Sequence, residues 1–209
     1  MSTIKVSVID YGMGNVCSVI SAIEYLGAKV ELISDPEEIV KSNILIIPGV
    51  GSYNKGMRAL KDRGIDEAIV DSVINKGNKI LGICLGMQLM GSHGTENGDM
   101  KGLNFISNKV TNFSTEELDG KKIPHVGFNT VSFNEGTDFF EGLPQESDFY
   151  FTHSHRMLLD DLNSTHAICK YGVDFLAAFQ VGNIFGTQFH PEKSQTNGLV
   201  LLKNFLKSE

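Results

Sequence analysis

Cys84 stands between Gly82 and Gly86 in "GICLGMQL", where an apolar run ends and a helical pattern begins. A strand that ends in G-x-C-x-G and turns at once into a helix has the form of a nucleophile elbow, with cysteine in place of serine. The glycines omit side chains where the tight turn would clash, so the thiol projects toward the sheet edge at which α/β proteins place their sites. The helix N-terminus beneath it offers unpaired N–H groups that favour a thiolate and an oxyanion alike. Against this stands the common fate of a free cysteine, which is burial as a small core residue. That fate suits Cys17, in an amphipathic helical pattern, and Cys169, in a short strand; the flanking glycines reverse it for Cys84. Gln88 follows four residues on, on the same helix face, where its amide can reach a ligand held at the sulfur.

A thiolate nucleophile needs a base, and a histidine oriented by a carboxylate is the commonest solution. Among six histidines, His190 in "FGTQFHPEKS" is set apart. On an extended strand His190 and Glu192 point the same way, and Pro191 both holds His190 extended and ends the ladder. His-Pro-Glu alone is a weak signal, since a solvated pair at a strand end looks identical; beside the elbow it completes a Cys-His-Glu set. A tetrahedral intermediate at Cys84 also needs donors, and the amide of Leu85 is one by position. A second strand ends in "PGVG", residues 48–51, whose two glycines let the backbone approach and turn over. His93, His125 and His166 read as ordinary polar or loop residues. His153 and His155 in "THSHRM" alternate on a strand, but two ligands without a third make a poor zinc site. No metal or other cofactor is expected, and a substrate-contacting strand end is the better reading of that segment.

These groups must be positioned by the elements around them. In the first half, "IKVSVID", "AKVELIS", "NILIIPGVG" and "NKILGIC" read as strands. They alternate with helical patterns in "NVCSVISAIEYLG", "YNKGMRALKDRG" and "DEAIVDSVINKG", which implies a parallel sheet covered by helices. The second half changes character. "FISNKVTNF", "HVGFNTVSF", "SDFYFTHSH", "THAICKYG", "FLAAFQVG" and "NIFGTQFH" are short strand-like runs broken by turn residues, and Val181-Gly182-Asn183-Ile184 fits a two-residue hairpin. A helix over "NGLVLLKNFLKSE" closes the chain. The expected fold is three-layer α/β: a mostly parallel central sheet flanked by helices, with additional antiparallel strands in the C-terminal half. With 209 residues, and neither repeat nor linker composition, the halves are expected to share one core in a single domain over residues 1–209.

Bulk charge narrows the partners. A formal charge of −7 without a basic block gives no footprint for nucleic acid or an anionic membrane. No run approaches a membrane span, and "MSTIKVSVID" lacks the pattern of a signal peptide. Three widely spaced cysteines fit reduced thiols better than a disulfide framework, so the expected location is the cytoplasm.

The motifs "DYGMGN" (10–15), "PGVG" (48–51), "GICLGMQL" (82–89), "PHVGFN" (124–129), "FTHSH" (151–155) and "FGTQFHPEKS" (185–194) fall in the order and spacing of class I, triad-type glutamine amidotransferases. Within that class the set resembles the glutaminase subunits of imidazole glycerol phosphate synthase, over nearly the whole chain. The resemblance implies that Cys84 attacks the side-chain amide of glutamine, His190 shuttles the proton to departing ammonia, and Glu192 orients His190. It places Val50, Gly51 and Leu85 at the oxyanion hole and Gly51, Gln88, Glu96, His153, Ser154 and His155 at the glutamine, with Glu96 facing its α-ammonium. It further implies a heterodimer with a (β/α)8-barrel cyclase subunit, contacted by Asn15, Phe128 and Lys193. The ammonia passes to that subunit to make imidazole glycerol phosphate and aminoimidazole carboxamide ribotide in histidine biosynthesis. The glutaminase is expected to stay nearly silent until partner and ligand bind, because the "PGVG" strand must bring an N–H into the oxyanion hole. Three departures stand out: Phe128 replaces the family's usual Trp, His155 its usual Tyr or Phe, and "MGSHGTENGDMKG" is richer in glycine than its counterparts. They leave room for a paralogous subunit that supplies ammonia for amidination of a nucleotide sugar in surface-polysaccharide synthesis. A more distant alternative is a redox-sensing cysteine without glutamine chemistry, which gives His190 and Glu192 no role.

Overall fold

The computed structural model describes residues 3–133, 138–160, 162 and 164–208. The first half runs β1 (Lys5–Ile9), α1 (Val16–Tyr25), β2 (Lys29–Ile33), α2 (Pro36–Lys41), β3 (Ile44–Ile47), α3 (Tyr53–Lys61), α4 (Ile65–Val70), β4 (Lys79–Ile83) and α5 (Leu85–Leu89). Next come the short strands β5 (His93–Gly94), β6 (Met100–Lys101) and β7 (Lys109–Asn112), then β8 (His125–Phe133), β9 (Glu146–His153) and β10 (His155–Met157). The chain continues through β11 (Thr165–Tyr171), β12 (Val173–Val181), β13 (Ile184–Thr187) and α6 (Gln195–Lys207).

The thirteen strands among the described residues join one sheet, with a central order β2-β1-β3-β4-β13-β12-β10-β7-β5-β6 and a branch on which β11 pairs β12 and β8, and β8 pairs β9. The block β2-β1-β3-β4-β13 is parallel. Its fifth member comes from the second half of the chain: β13 follows β12 through the Gly182-Asn183 turn, with Val181 opposite Ile184, and then runs alongside β4. The two halves are therefore laced together by hydrogen bonds.

Alternation along the parallel strands sorts the core into two layers. Val6, Val8, Ile46, Leu81, Ile83 and Phe185 face one cluster with Val19 and Ile23 of α1 and Leu201, Leu202 and Phe205 of α6. Ile9, Leu45, Ile47, Ile80 and Ile184 face the other, with Ile39, Met57, Leu60, Ile69 and Leu85 from α2 to α5. This is the expected three-layer α/β arrangement. Some local expectations shift. Helix α2 was not anticipated, although Asp35 accepts from Glu37 N at 2.8 Å and Pro36 opens the first turn, an ordinary helix start. The helical pattern after Ile65 passes at Asp71–Asn75 into a π-helical turn. The "SDFYFTHSH" run breaks at Ser154 into two strands that pair with different neighbours. No helix among the described residues is long and apolar enough to cross a membrane.

Candidate active site

Cys84 occupies the junction of β4 and α5 at φ 53° and ψ −107°, a left-handed conformation that a non-glycine residue adopts only under constraint. The constraint is visible in the backbone. Cys84 N donates to Thr187 O of β13 at 2.7 Å, and Gln88 N donates to Cys84 O at 3.1 Å, closing the first turn of α5. A Cβ on Gly86 would lie 1.8 Å from Ile47 O, and one on Gly82 would lie 2.7 Å from Met87 N. Both glycines are thus required for the turn to exist, as the sequence pattern predicts.

Because β13 lies beside β4, with Thr187 opposite Ile83, the chain that leaves β13 carries His190 to the same sheet edge as Cys84. The expectation of one extended strand through Glu192 does not hold. β13 ends at Thr187, and Pro191–Lys193 form a 3-10 turn because proline cannot continue the ladder. His190 itself remains extended (φ −97°, ψ 96°), and the turn brings Glu192 back beneath the ring. Nδ1–H of His190 donates to Glu192 Oε1 at 2.8 Å, with both side chains almost wholly buried. Nε2 is buried without a partner of ordinary hydrogen-bonding geometry, and Cys84 is near enough to attract it. Burial alone would depress this imidazole; attraction from Cys84 and Glu192 outweighs that and pushes it up to about 10. A loose contact at Nε2 leaves that nitrogen available to act as acid or base toward a group held at the sulfur. The turn is fastened to β9: His190 N donates to Tyr150 O at 2.9 Å, Tyr150 N donates to Ser194 Oγ at 2.9 Å, and Ser194 Oγ donates to His190 O at 2.6 Å.

The oxyanion donors are in a closed arrangement. Leu85 N, predicted to face a tetrahedral oxyanion, donates instead to Gly49 O at 3.3 Å. Val50 is exposed, and Gly51 sits at φ 119°. Tyr11 packs its hydroxyl against Gly49, and burial together with the nearby Cys84 raises its phenol well above the usual range.

The residues expected to hold a substrate converge on His155. Glu96 accepts from Tyr53 N at 2.6 Å, at the start of α3, and lies 4.0 Å from His155 Nδ1. Gln88 is buried, and its Nε2 donates to His155 O and to Gln188 Oε1, each at 2.9 Å. Both hydrogens of that amide are therefore in use, leaving only its carbonyl oxygen for a ligand. Ser154 lies at the break between β9 and β10, where its carbonyl accepts from Phe113 N at 3.4 Å. His153 is nearly closed to solvent: Nδ1–H donates to His155 O at 2.8 Å, and Nε2 accepts from His125 Nδ1 at 2.9 Å. With both nitrogens engaged, His153 positions the His155 peptide rather than offering a group to a ligand. His125, read from sequence as an ordinary polar residue, is stacked between Tyr171 and Phe151 at 4.0 and 4.7 Å. Burial depresses His125 to about 4 and His153 to about 3, so the pair is neutral.

At the surface beside the triad turn, Phe128 is half exposed and meets Tyr150 edge-on at 5.7 Å, while Lys193 Nζ lies 5.9 Å from the same ring. Asn15, also exposed, donates to Ser18 Oγ at 2.9 Å at the start of α1. Sequence reasoning passed over Gln188, Ser194 and His125. For Gln188 the one available signal was its position two residues before His190.

The chain matches the family described as Glutamine amidotransferase class-I over residues 7–208. It is 42% identical over 202 residues to imidazole glycerol phosphate synthase subunit HisH 1 of Campylobacter jejuni, covering 97% of this chain and 99% of the relative. It is 39% identical over 203 residues to the subunit HisH 1 of Parasynechococcus marenigrum, covering 97% of each. Among solved structures, PurLQS from Thermotoga maritima shares the fold with a TM-score of 0.75 at 20% identity, over 98% of each chain.

Proposed function

Because this chain belongs to the class I glutamine amidotransferase family, we propose that it is the glutaminase subunit of an imidazole glycerol phosphate synthase. In this reading it releases ammonia from glutamine at Cys84 and passes it to a (β/α)8-barrel cyclase. The observation that carries the reading is the buried set Cys84, His190 and Glu192 at one sheet edge, with the imidazolium favoured at neutral pH. Sγ attacks the amide carbon of glutamine as a thiolate. The C–N bond then breaks while His190 delivers its Nε2 proton to the departing amine, giving ammonia and a γ-glutamyl thioester. Water next adds to the thioester carbon with His190 as base. The C–S bond breaks, glutamate leaves and the thiolate returns. Glu192 keeps the Nδ1 proton in place and balances the charge on the ring throughout.

The resting position of Gly49 accounts for restraint on this chemistry. Its carbonyl occupies Leu85 N–H, so the oxyanion hole lacks that donor, and loss of one such donor typically costs roughly a hundred- to a thousand-fold in turnover. Turning over the Gly49–Val50 peptide frees Leu85 N–H and swings Val50 N–H into the hole. In this reading partner and ligand binding favour that turn, and the Phe128, Tyr150 and Lys193 surface receives the cyclase. The cyclase uses the ammonia to form imidazole glycerol phosphate and aminoimidazole carboxamide ribotide.

The test is glutamate release from glutamine, alone and with a histidine-pathway cyclase and an analogue of its ribulosyl substrate. Strong stimulation supports the proposal, and Cys84→Ala should abolish the signal while leaving the fold intact. Hydrolysis that persists in Cys84→Ala would overturn the chemistry. A second reading, ammonia supply for amidination of a nucleotide sugar, draws on the Phe128 departure at the exposed surface. It is indicated by an absence of stimulation when glutamine still protects Cys84 from alkylation.

A further inference from the structure

The amide of Gln188 is aimed at the nucleophile, and its polarity follows from a single backbone carbonyl. His155 O can only accept, so the Gln88 group that reaches it at 2.9 Å must be Nε2. That same nitrogen lies 2.9 Å from one end of the Gln188 amide, which must then be its oxygen. The remaining end of Gln188 is therefore the NH2, and it lies 3.7 Å from Cys84 Sγ, a hydrogen-bonding distance for sulfur. Gln188 is wholly buried, so no water competes for this hydrogen. Among the described residues the sulfur also has an acceptor within reach, Thr152 O, at 3.9 Å. The thiol can donate to Thr152 O, whereas the thiolate can only accept, and beside the His190 imidazolium the Gln188 amide is placed to donate to it.

We propose that Gln188 is a further residue of the catalytic site, a fixed N–H donor to Cys84 Sγ that favours the sulfur whenever it carries negative charge. The proposal rests on the reading of Cys84 as the glutaminase nucleophile. Its main effect falls on the second half of the reaction. As water adds to the thioester and the C–S bond breaks, the electron pair moves onto sulfur, and the Gln188 hydrogen bond strengthens as it does so. Attack by the thiolate gains nothing from the same contact, because that charge is already present in the ground state. Gln88 then has a second duty besides any contact with glutamine: it holds Gln188 the right way round.

The first experiment follows alkylation of Cys84 by iodoacetamide against pH, without glutamine, in the wild type, Gln188→Met and Gln188→Leu. Neither variant has the N–H, so the midpoint should rise by about one pH unit, the worth of a hydrogen bond to a charged group. The titratable groups that act on the sulfur, His190 and Tyr11, and those that act on His190, Glu192 and His153, are the same in all three proteins. An unchanged midpoint in a folded variant overturns the proposal, and Gln188→Leu decides if Gln188→Met does not fold. Should neither fold, the side-chain amide resonances of Gln188 in the wild type must follow the alkylation midpoint; resonances that do not move overturn it. With glutamine, kcat and KM should fall together while kcat/KM holds, with the acylated enzyme accumulating, a split that mere loosening of the fold does not produce. Because the alkylation profile needs no turnover, a wild type that fails to hydrolyse glutamine even with the cyclase and its ligand would count against the proposed function without touching this result.

Discussion

At the scale of single residues, the site depends on side chains held in states that water would not favour. Cys84 is kept at positive φ, at a cost of about 1–3 kcal/mol that the surrounding backbone bonds must offset. His190 is kept charged in a nearly closed pocket, and the folded state therefore binds its proton more tightly than the unfolded chain, where the value is about 6.5. The resulting stabilisation is complete below about pH 6.5, declines above it and is gone once the pH passes about 10. Denaturant unfolding of the wild type and His190→Gln should show a stability gap that narrows between those limits; a constant gap would mean that the imidazolium contributes nothing. Glu192→Gln removes the charge beneath the ring but keeps its shape, so turnover should fall by about a hundredfold or more while glutamine still protects Cys84 from alkylation. Equal turnover in the variant would show that Glu192 only packs. Cys84 was legible because its glycines are unusual for a core thiol, and His190 because a proline and a glutamate follow it. Gln188 and His125 were not, since a buried glutamine or histidine on a strand has no local mark that separates a hydrogen-bonded core residue from a functional one.

At the scale of elements, the decisive contact is between β4 and β13. It sets Cys84 against the strand that leads to His190, and it leaves no space at the elbow. In Gly86→Ala the new methyl meets the carbonyl of Ile47, a backbone atom of β3 that cannot swing aside, so stability should fall by at least about 3 kcal/mol in urea unfolding. Stability close to wild type would show that the elbow can relax. Hydrophobic runs and turn residues were enough to place β1 to β4, the Gly182-Asn183 hairpin and α6. They could not reveal that β13 returns to the parallel block, because pairing partners are chosen by contacts far apart in the chain. The length of the triad strand was overestimated for a related reason: a period of two in the pattern does not show where the ladder runs out.

At the scale of the whole molecule, the triad turn does two things at once. Its inner side holds Glu192 under His190, and its outer side shows Lys193 to solvent beside Tyr150 and Phe128. If that surface receives the cyclase, Lys193→Ala should weaken stimulation of glutamate release by about tenfold while glutaminase activity without the partner stays as it was. Stimulation equal to wild type would move the interface elsewhere. The sheet-wide layering was legible from alternation in the first half alone; the closed oxyanion arrangement was expected only through the family resemblance, because the "PGVG" residues themselves permit either orientation of one peptide.

The late return of β13 has a consequence for how the protein comes into being. Cys84 and Gln188 are 104 positions apart, and His190 follows two residues later. A growing chain can lay down β1 to β4 and the elbow with only local pairings, but it has neither the base nor the strand that pins Cys84 N until residues 184–192 have emerged. In the proposed reading the nucleophilic thiol is thus present during synthesis without its imidazole. If those residues carry the reaction, glutamine hydrolysis begins only when the sheet is complete, and an unfinished or truncated chain cannot waste glutamine.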